Sequence, residues 1–226
     1  MSFGKLYHYP RAPRATMALY IAEHNKLDVE LIEAWPIKVD KSKGGVGEEY
    51  LSKFPTGKVP ALERPDGYAV YECIAVSIYL AKQNPSTTLL GSTLEEECQI
   101  IQWSSFANSE LLPAIMSWIN PVIGKAATSP EILAEAEKAS DRMTAVVETA
   151  LQGGKKYVVG ETLTMADLFV IAALARGYQF VFAKGWTEKH KALHEYYWSI
   201  RSDAIWTKID GTAYVLDLVG GKPLEM

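Results

Sequence analysis

The chain has 226 residues, with 23 Lys and Arg against 27 Asp and Glu, a formal net charge of -4, and 48% hydrophobic and 22% charged side chains. That balance belongs to a folded globular protein and excludes a disordered polymer, and no apolar run approaches the roughly 18 residues of a membrane helix. Residues 1–83 hold 11 basic and 10 acidic side chains and the remainder 12 and 17, so no basic face points to nucleic acid and nothing points to a membrane surface.

The N-terminal stretch MSFGKLYHYPRAPR has neither an apolar core segment nor a small-residue cleavage site, so it is not read as a signal peptide. Lys5 to His8 reads as a strand that Pro10 and Pro13 stop, with Pro13 suited to the first turn of a helix running to about Asn25. Val29, Leu31 and Ile32 read as a second strand, completing a βαβ unit. Residues 38–47 are polar and glycine-rich, a loop, and Glu48 to Phe54 a short helix. Ala61 to Arg64 and Tyr68 to Tyr71 flank Pro65-Asp66-Gly67 as a hairpin, because Asp-Gly tolerates the positive φ of a tight turn. Glu72 to Gln83 reads as a helix with Ile74, Ile78 and Leu80, together with Ala75 and Ala81, on its inner face.

Asn84 to Gly91 is a turn-rich connector in which Pro85 forbids a continuous helix. No strand is convincing beyond it. Ile100, Trp103, Phe106 and Leu111 recur at helical spacing from Leu94 to Trp118, with Pro113 and Pro121 kinking or ending the helix. Another helix spans Glu131 to Leu151 and ends at Gly153-Gly154. Thr164 and Asp167 form a capping box ahead of an all-round apolar helix, Leu168 to Tyr178, the expected buried centre of this half. Residues 188–209 supply one or two more helices.

Several features could carry chemistry, each beside a plainer reading. Pro60 in Gly57-Lys58-Val59-Pro60-Ala61 either opens a strand in trans, which composition favours, or is cis and turns the backbone of Val59 towards a peptide ligand. Glu72-Cys73 lies where a strand becomes a helix. There Glu72 either takes a ligand ammonium or merely complements the helix dipole. Arg11 and Arg14 open the first helix, as anion or thiolate partners or as solvated side chains. Gly45-Val46-Gly47 fails the context of a dinucleotide fingerprint. His190 and His194 stand four apart on a helix but lack further metal ligands, so no metal is expected. Cys73 and Cys98, 25 positions apart, make neither a disulfide framework nor a metal signature, and point to a reducing, cytoplasmic compartment. Tryptophans 103, 118, 186, 198 and 206 read as core or interface.

Taken together, GKVPAL at 57–62, YEC at a helix start and LTMADL in an all-helical half resemble the cytosolic glutathione transferase family over nearly the whole chain. KFPTGKVPALE, VYE, QWSSFANSELLP and VVGETLTMADL are similar to the branch holding the glutathione transferase-like domain of translation elongation factor one B gamma. Because the chain stops at Met226, a free-standing transferase of fungal type is expected rather than the translation subunit. The resemblance implies an α/β thioredoxin-like glutathione-binding domain at 1–83, a linker at 84–91 and an all-α domain at 92–226. It also implies that Val59, before a cis Pro60, pairs with the cysteinyl part of glutathione. Glu72 and Cys73 would hold the γ-glutamyl ammonium and carboxylate, and Lys58 would reach the glycyl carboxylate.

Two departures stand out: position 73 is Cys where the family usually has Ser, and Ala12 stands where serine classes carry the activating hydroxyl. Arg14 is then the candidate thiolate-stabilising cation. Tyr7 is the tyrosine-class alternative, and Tyr9, Phe106 and Asn108 are expected to line the electrophile pocket in a cleft between the domains. The expected protein is a cytoplasmic homodimeric detoxification enzyme that adds glutathione, its co-substrate, to small hydrophobic electrophiles without another cofactor. The competing expectations are a non-catalytic elongation factor one B gamma-like assembly module and a glutathione-dependent peroxidase or thiol reductase, the last weakened by the lack of a cysteine near residue 12.

Overall fold

A computed structural model describes residues 2–35, 47–213 and 216. The chain divides into two compact units, Met1–Leu90 with Lys208–Asp210 and Gly91–Thr207 with Gly211–Met226.

In the first unit β1 (Gly4–His8) alternates Leu6, fully buried, with exposed Lys5. Arg11 turns the chain with φ 56, and Pro13 enters α1 (Pro13–His24) at its first turn, where its missing N–H costs nothing. α1 buries every residue from Ala15 to Ala22. The amide of Asn25 just beyond it donates to the carbonyls of Leu80 and Ala81 at 2.9 and 3.2 Å, satisfying carbonyls at another helix end. β2 (Val29–Glu33) runs parallel to β1 in the register Gly4 to Val29 and His8 to Glu33. α2 (Gly47–Lys53) follows, opened by Gly47 with φ 73. The predicted loop and the glycine pair at 45 and 47 otherwise lie outside the described residues.

β3 (Ala61–Glu63) pairs antiparallel with β1, and β4 (Ala69–Tyr71) with β3, giving the order β2-β1-β3-β4. Gly67 supplies the positive φ of 87 that the hairpin needs, and the Asp66 carboxylate accepts the Tyr68 N–H at 3.1 Å. α3 (Cys73–Ala81) packs on α1, but its buried face differs from the expected one. Cys73, Val76, Ser77, Leu80 and Ala81 are buried, Ile74 and Ile78 only half-buried, and Ala75 exposed. The stripe follows helical spacing through two small polar side chains that an apolar pattern leaves out.

Among its described residues the second unit holds helices joined by turns and no strand. Thr93 caps α4 (Leu94–Phe106) by accepting the Glu96 N–H at 3.2 Å. α4 continues through a π-helical turn, Ala107–Leu111, into α5 (Leu112–Val122). The kink expected at Pro113 is replaced by this turn. Pro113 cannot donate, its ring crowds the carbonyl four residues back, and the Leu112 N–H instead reaches the Ala107 carbonyl.

α6 (Pro130–Ala150) is capped by Ser129, and Gly153 and Gly154 follow it with φ 78 and 79. All 16 residues of α7 (Met165–Phe180) are buried. Gly177 permits this packing: a Cβ there would meet the Phe182 ring at 2.0–2.4 Å. A short α8 (Lys184–Lys189) precedes the two helices that fill the expected 188–209 segment, α9 (Lys191–Arg201) and α10 (Ala204–Asp210). His190 therefore does not share a helix with His194. It breaks the chain between α8 and α9 at φ -108, ψ 48, and stacks on Trp186 at 4.3 Å. Trp186 and Trp206 are buried, while Trp103, Trp118 and Trp198 are half-buried.

Candidate functional site

The residues singled out in the sequence fall into groups. The Val59–Pro60 peptide bond is cis. The Tyr50 hydroxyl holds the approach to it by donating to the Lys58 carbonyl at 2.5 Å, while the Lys58 side chain is exposed. The side chain of Val59 is buried, and its backbone N–H and C=O pair with the backbone of no described residue. An extended ligand can therefore pair there as an added strand does. Val59 belongs to a cluster with Ala12, Ala15, Ala34, Tyr50, Phe54 and Ala61, on which Tyr7 and Tyr9 pack.

A second group gathers at the start of α3. Glu72 has φ 71 and ψ 125, a left-handed conformation that non-glycine residues avoid, and its side chain is exposed. Such conformations cost about 1–3 kcal/mol and concentrate at functional sites. Cys73 is buried at the first position of the helix, and burial pushes its thiol up to about 11, opposed by the nearby Arg14 guanidinium and reinforced by Glu72. Arg14 and Glu72 thus both lie close enough to Cys73 for their charges to act on its thiol.

Tyr7 is engaged elsewhere. Its hydroxyl donates to Glu63 at 3.1 Å, Lys53 holds the same carboxylate at 2.6 Å, and burial with the Glu63 charge pushes the phenol up to about 12. Tyr9 is half-buried and stacks on Trp35 with centroids 4.7 Å apart. Trp35 carries little signal in the sequence; its one mark is an aromatic residue two positions past a strand and before Pro36. Phe106 and Asn108 lie in the second unit, Phe106 at the end of α4 against Trp103 at 5.5 Å and Asn108 in the π-helical turn.

Other candidates resolve into structure. His190 lies between α6 carboxylates, its Nδ1 3.2 Å from Glu148 and its Nε2 3.4 Å from Asp141, and His194 meets the Tyr178 hydroxyl at 3.0 Å. Among the described residues no group of three or more His, Cys, Asp or Glu could hold a metal ion, and no helix is long and apolar enough to cross a membrane. A cavity of about 260 Å³ lined by Lys5, Glu30, Glu63 and Arg64 shares none of the predicted site residues.

The chain matches the family models of the glutathione S-transferase N-terminal domain over residues 2–82 and of the C-terminal domain over 111–203. A glutathione S-transferase of Emericella nidulans is 36% identical over 197 residues, covering 87% of this chain and 86% of that one. Elongation factor 1-gamma of Artemia salina is 35% identical over 191 residues, 84% of this chain but 42% of that protein. The crystal structure of the glutathione transferase-like domain of elongation factor 1-gamma from Saccharomyces cerevisiae superposes with a TM-score of 0.79 at 27% identity, covering 100% of this chain and 99% of that one.

Proposed function

The chain belongs to the glutathione S-transferase family of enzymes, and from that premise we propose that it conjugates glutathione to small hydrophobic electrophiles. The observation that carries the reading is the strained Glu72 at the α3 N-terminus beside Arg14 and Cys73.

Glutathione lies extended, its cysteinyl backbone pairing with the N–H and C=O of Val59. Glu72 accepts the γ-glutamyl ammonium. The N–H groups at the start of α3, with Cys73, face the γ-glutamyl carboxylate, and Lys58 reaches the glycyl carboxylate. A Cys at position 73 donates more weakly than a hydroxyl, so the backbone supplies most of the carboxylate binding. Arg14 supplies the positive charge that raises the thiolate fraction of bound glutathione, a free thiol having a pKa of about 8.5. Tyr7 is the weaker activator, since its hydroxyl already serves Glu63. The thiol proton passes to solvent, the sulfur lone pair forms the new C–S bond, and the leaving group departs with the electrons of the broken bond. Within the first unit, Tyr9 is the proposed contact for the electrophile. No prosthetic group takes part.

We place the protein in the cytoplasm as a detoxification enzyme. We also propose a homodimer, supported by the exposed apolar Leu94 and Ile101 along α4. Sedimentation as a monomer at micromolar concentration overturns the dimer.

The test is a calorimetric glutathione titration, a conjugation assay on an electrophile panel, and the thiolate absorbance of the complex against pH for wild type, Arg14→Ala and Tyr7→Phe. Arg14→Ala is expected to raise the pH at which bound thiol ionises. An unchanged titration with a large shift for Tyr7→Phe transfers the role to the tyrosine. The second reading, a non-catalytic assembly module, is favoured by the elongation factor 1-gamma likeness and by Ala12. Glutathione binding without turnover on any electrophile selects it.

A further inference from the structure

We infer that the stacked Tyr9–Trp35 pair is a preformed platform selecting planar, electron-poor aromatic electrophiles; this rests on the conjugation reading above.

Trp35 is 40% exposed, so much of its indole surface meets water. It is nevertheless held firmly. Its ring lies at 21° to Tyr9 with centroids 4.7 Å apart, and its indole N–H donates to a Glu33 carboxylate oxygen at 2.5 Å. Its neighbour Ala34 is buried, and the Ala34 N–H donates to the His8 carbonyl at 2.6 Å, fixing the backbone at the root of the side chain. An exposed aromatic ring with both its backbone and its polar edge tied down loses little entropy when a ligand stacks on it.

The location ties the pair to the candidate site. Tyr9 and Ala34 belong to the packed cluster that contains Val59 and Ala12. The Tyr9 carbonyl accepts the Ala12 N–H at 3.1 Å, so the platform adjoins the start of α1 and the segment proposed to pair with glutathione. Ala12 is buried in that cluster and brings no hydroxyl to it.

The chemistry then narrows the substrate class. Indole and phenol rings present electron-rich faces, which complement rings whose electrons have been withdrawn. Such withdrawal is also what makes an aromatic carbon open to a thiolate. With 1-chloro-2,4-dinitrobenzene the glutathione sulfur attacks the carbon bearing chlorine, the C–S bond forms, the C–Cl bond breaks, and chloride leaves with the bonding pair while the thiol proton goes to buffer. An aliphatic enal such as trans-2-hexenal accepts the same thiolate at its β-carbon, with a solvent proton completing the adduct, and gains nothing from stacking.

Wild type, Trp35→Ala, Trp35→Leu and Trp35→Phe are compared with both electrophiles, alongside calorimetric glutathione affinity. Loss of the ring in the Ala and Leu variants is expected to raise KM for the chloroarene about three- to tenfold, with glutathione affinity and the KM for hexenal held within about twofold and most of the loss recovered in Trp35→Phe. Equal changes for both electrophiles, or no change for the chloroarene, overturn the platform. Binding of unreactive 1,3-dinitrobenzene, followed by fluorescence quenching, needs no turnover. If wild type conjugates neither electrophile, the enzymatic reading fails. The platform then stands if the Ala and Leu variants lose dinitrobenzene binding and falls if they keep it.

Discussion

Replacing Asp167 with Ala should cost far more than a missing helix cap. Its carboxylate is fully buried and accepts four hydrogen bonds: from the Val158 N–H at 2.9 Å and the Tyr196 hydroxyl at 2.8 Å on one oxygen, and from the Thr164 N–H and hydroxyl, both at 2.9 Å, on the other. The Thr164 hydroxyl can rotate to another acceptor, but two backbone donors and a buried phenol are left facing a methyl group. Each buried donor without a partner costs about 1–3 kcal/mol. Water entering the vacated space and removal of a buried charge offset part of the sum, so the expected loss is about 3–5 kcal/mol. Thr164→Ala removes only the hydroxyl, leaves all three of these donors on the Asp167 carboxylate, and should cost about 1 kcal/mol.

Burial pushes the Asp167 carboxyl above its ordinary range despite the four donors. A group raised in the folded state contributes most below its unfolded value, near 3.9, and that contribution is lost as pH rises through the folded value. The gap between wild type and Asp167→Ala should therefore widen as pH is lowered from neutral towards about 4. Urea unfolding at several pH values measures the gap, and calorimetry should show glutathione affinity nearly unchanged. A loss for Asp167→Ala no larger than that for Thr164→Ala, or abolished glutathione affinity at an unchanged melting temperature, refutes the reasoning.

Three further outcomes are expected. Gly177→Ala should lower the melting temperature, because Phe182 is stacked on Trp186 at 3.6 Å and cannot retreat, so overpacking of about 1–3 kcal/mol exceeds the roughly 1 kcal/mol helix gain. Gly185→Ala, with nothing within 4 Å of its new Cβ, should hold or raise it, and a shift of the same sign in both variants contradicts the packing. In a thiol titration of the folded protein near pH 8, exposed Cys98 should react quickly, while buried Cys73, its thiol raised to about 11, should react only on unfolding; two equally fast thiols count against that burial. Glu72→Gly should relieve the left-handed backbone and raise stability by up to about 1 kcal/mol while weakening glutathione binding, and unchanged affinity removes Glu72 from the site.

What the sequence displayed well is local. Asp66-Gly67 marks the hairpin because two adjacent residues decide the turn. Thr164 and Asp167 mark the start of α7 because the box closes within three residues. The same Asp167 shows where that legibility ends. Its other two donors, Val158 and Tyr196, stand 9 and 29 positions away, so the sequence suggests a cap and the fold makes it a buried hub. α3 buries a different face from the one its apolar residues suggest, because Cys73 and Ser77 are small enough to be buried where α3 packs on α1, a choice made by tertiary packing and not by hydrophobicity. Pro113 announces an interruption, yet whether the helix kinks or gains a π turn depends on packing against α6 and α7.

The candidate site divides along the same line. Its peptide-binding part runs along short segments, 57–61 and 72–73, whose residues declare themselves in order. Thiol activation instead depends on distances between elements. Tyr7 finds Glu63, 56 positions away, because β1 and β3 pair side by side, and that bond occupies the hydroxyl that a tyrosine mechanism needs. Arg14 lies near enough to Cys73 for its charge to act on the thiol because α1 packs on α3. The same sheet and helix packing thus occupies the Tyr7 hydroxyl and sets the Arg14 charge near the start of α3, which favours the proposed role of Arg14, and the aromatic platform inferred at Trp35, built after an edge strand, would add a preference for the electrophile.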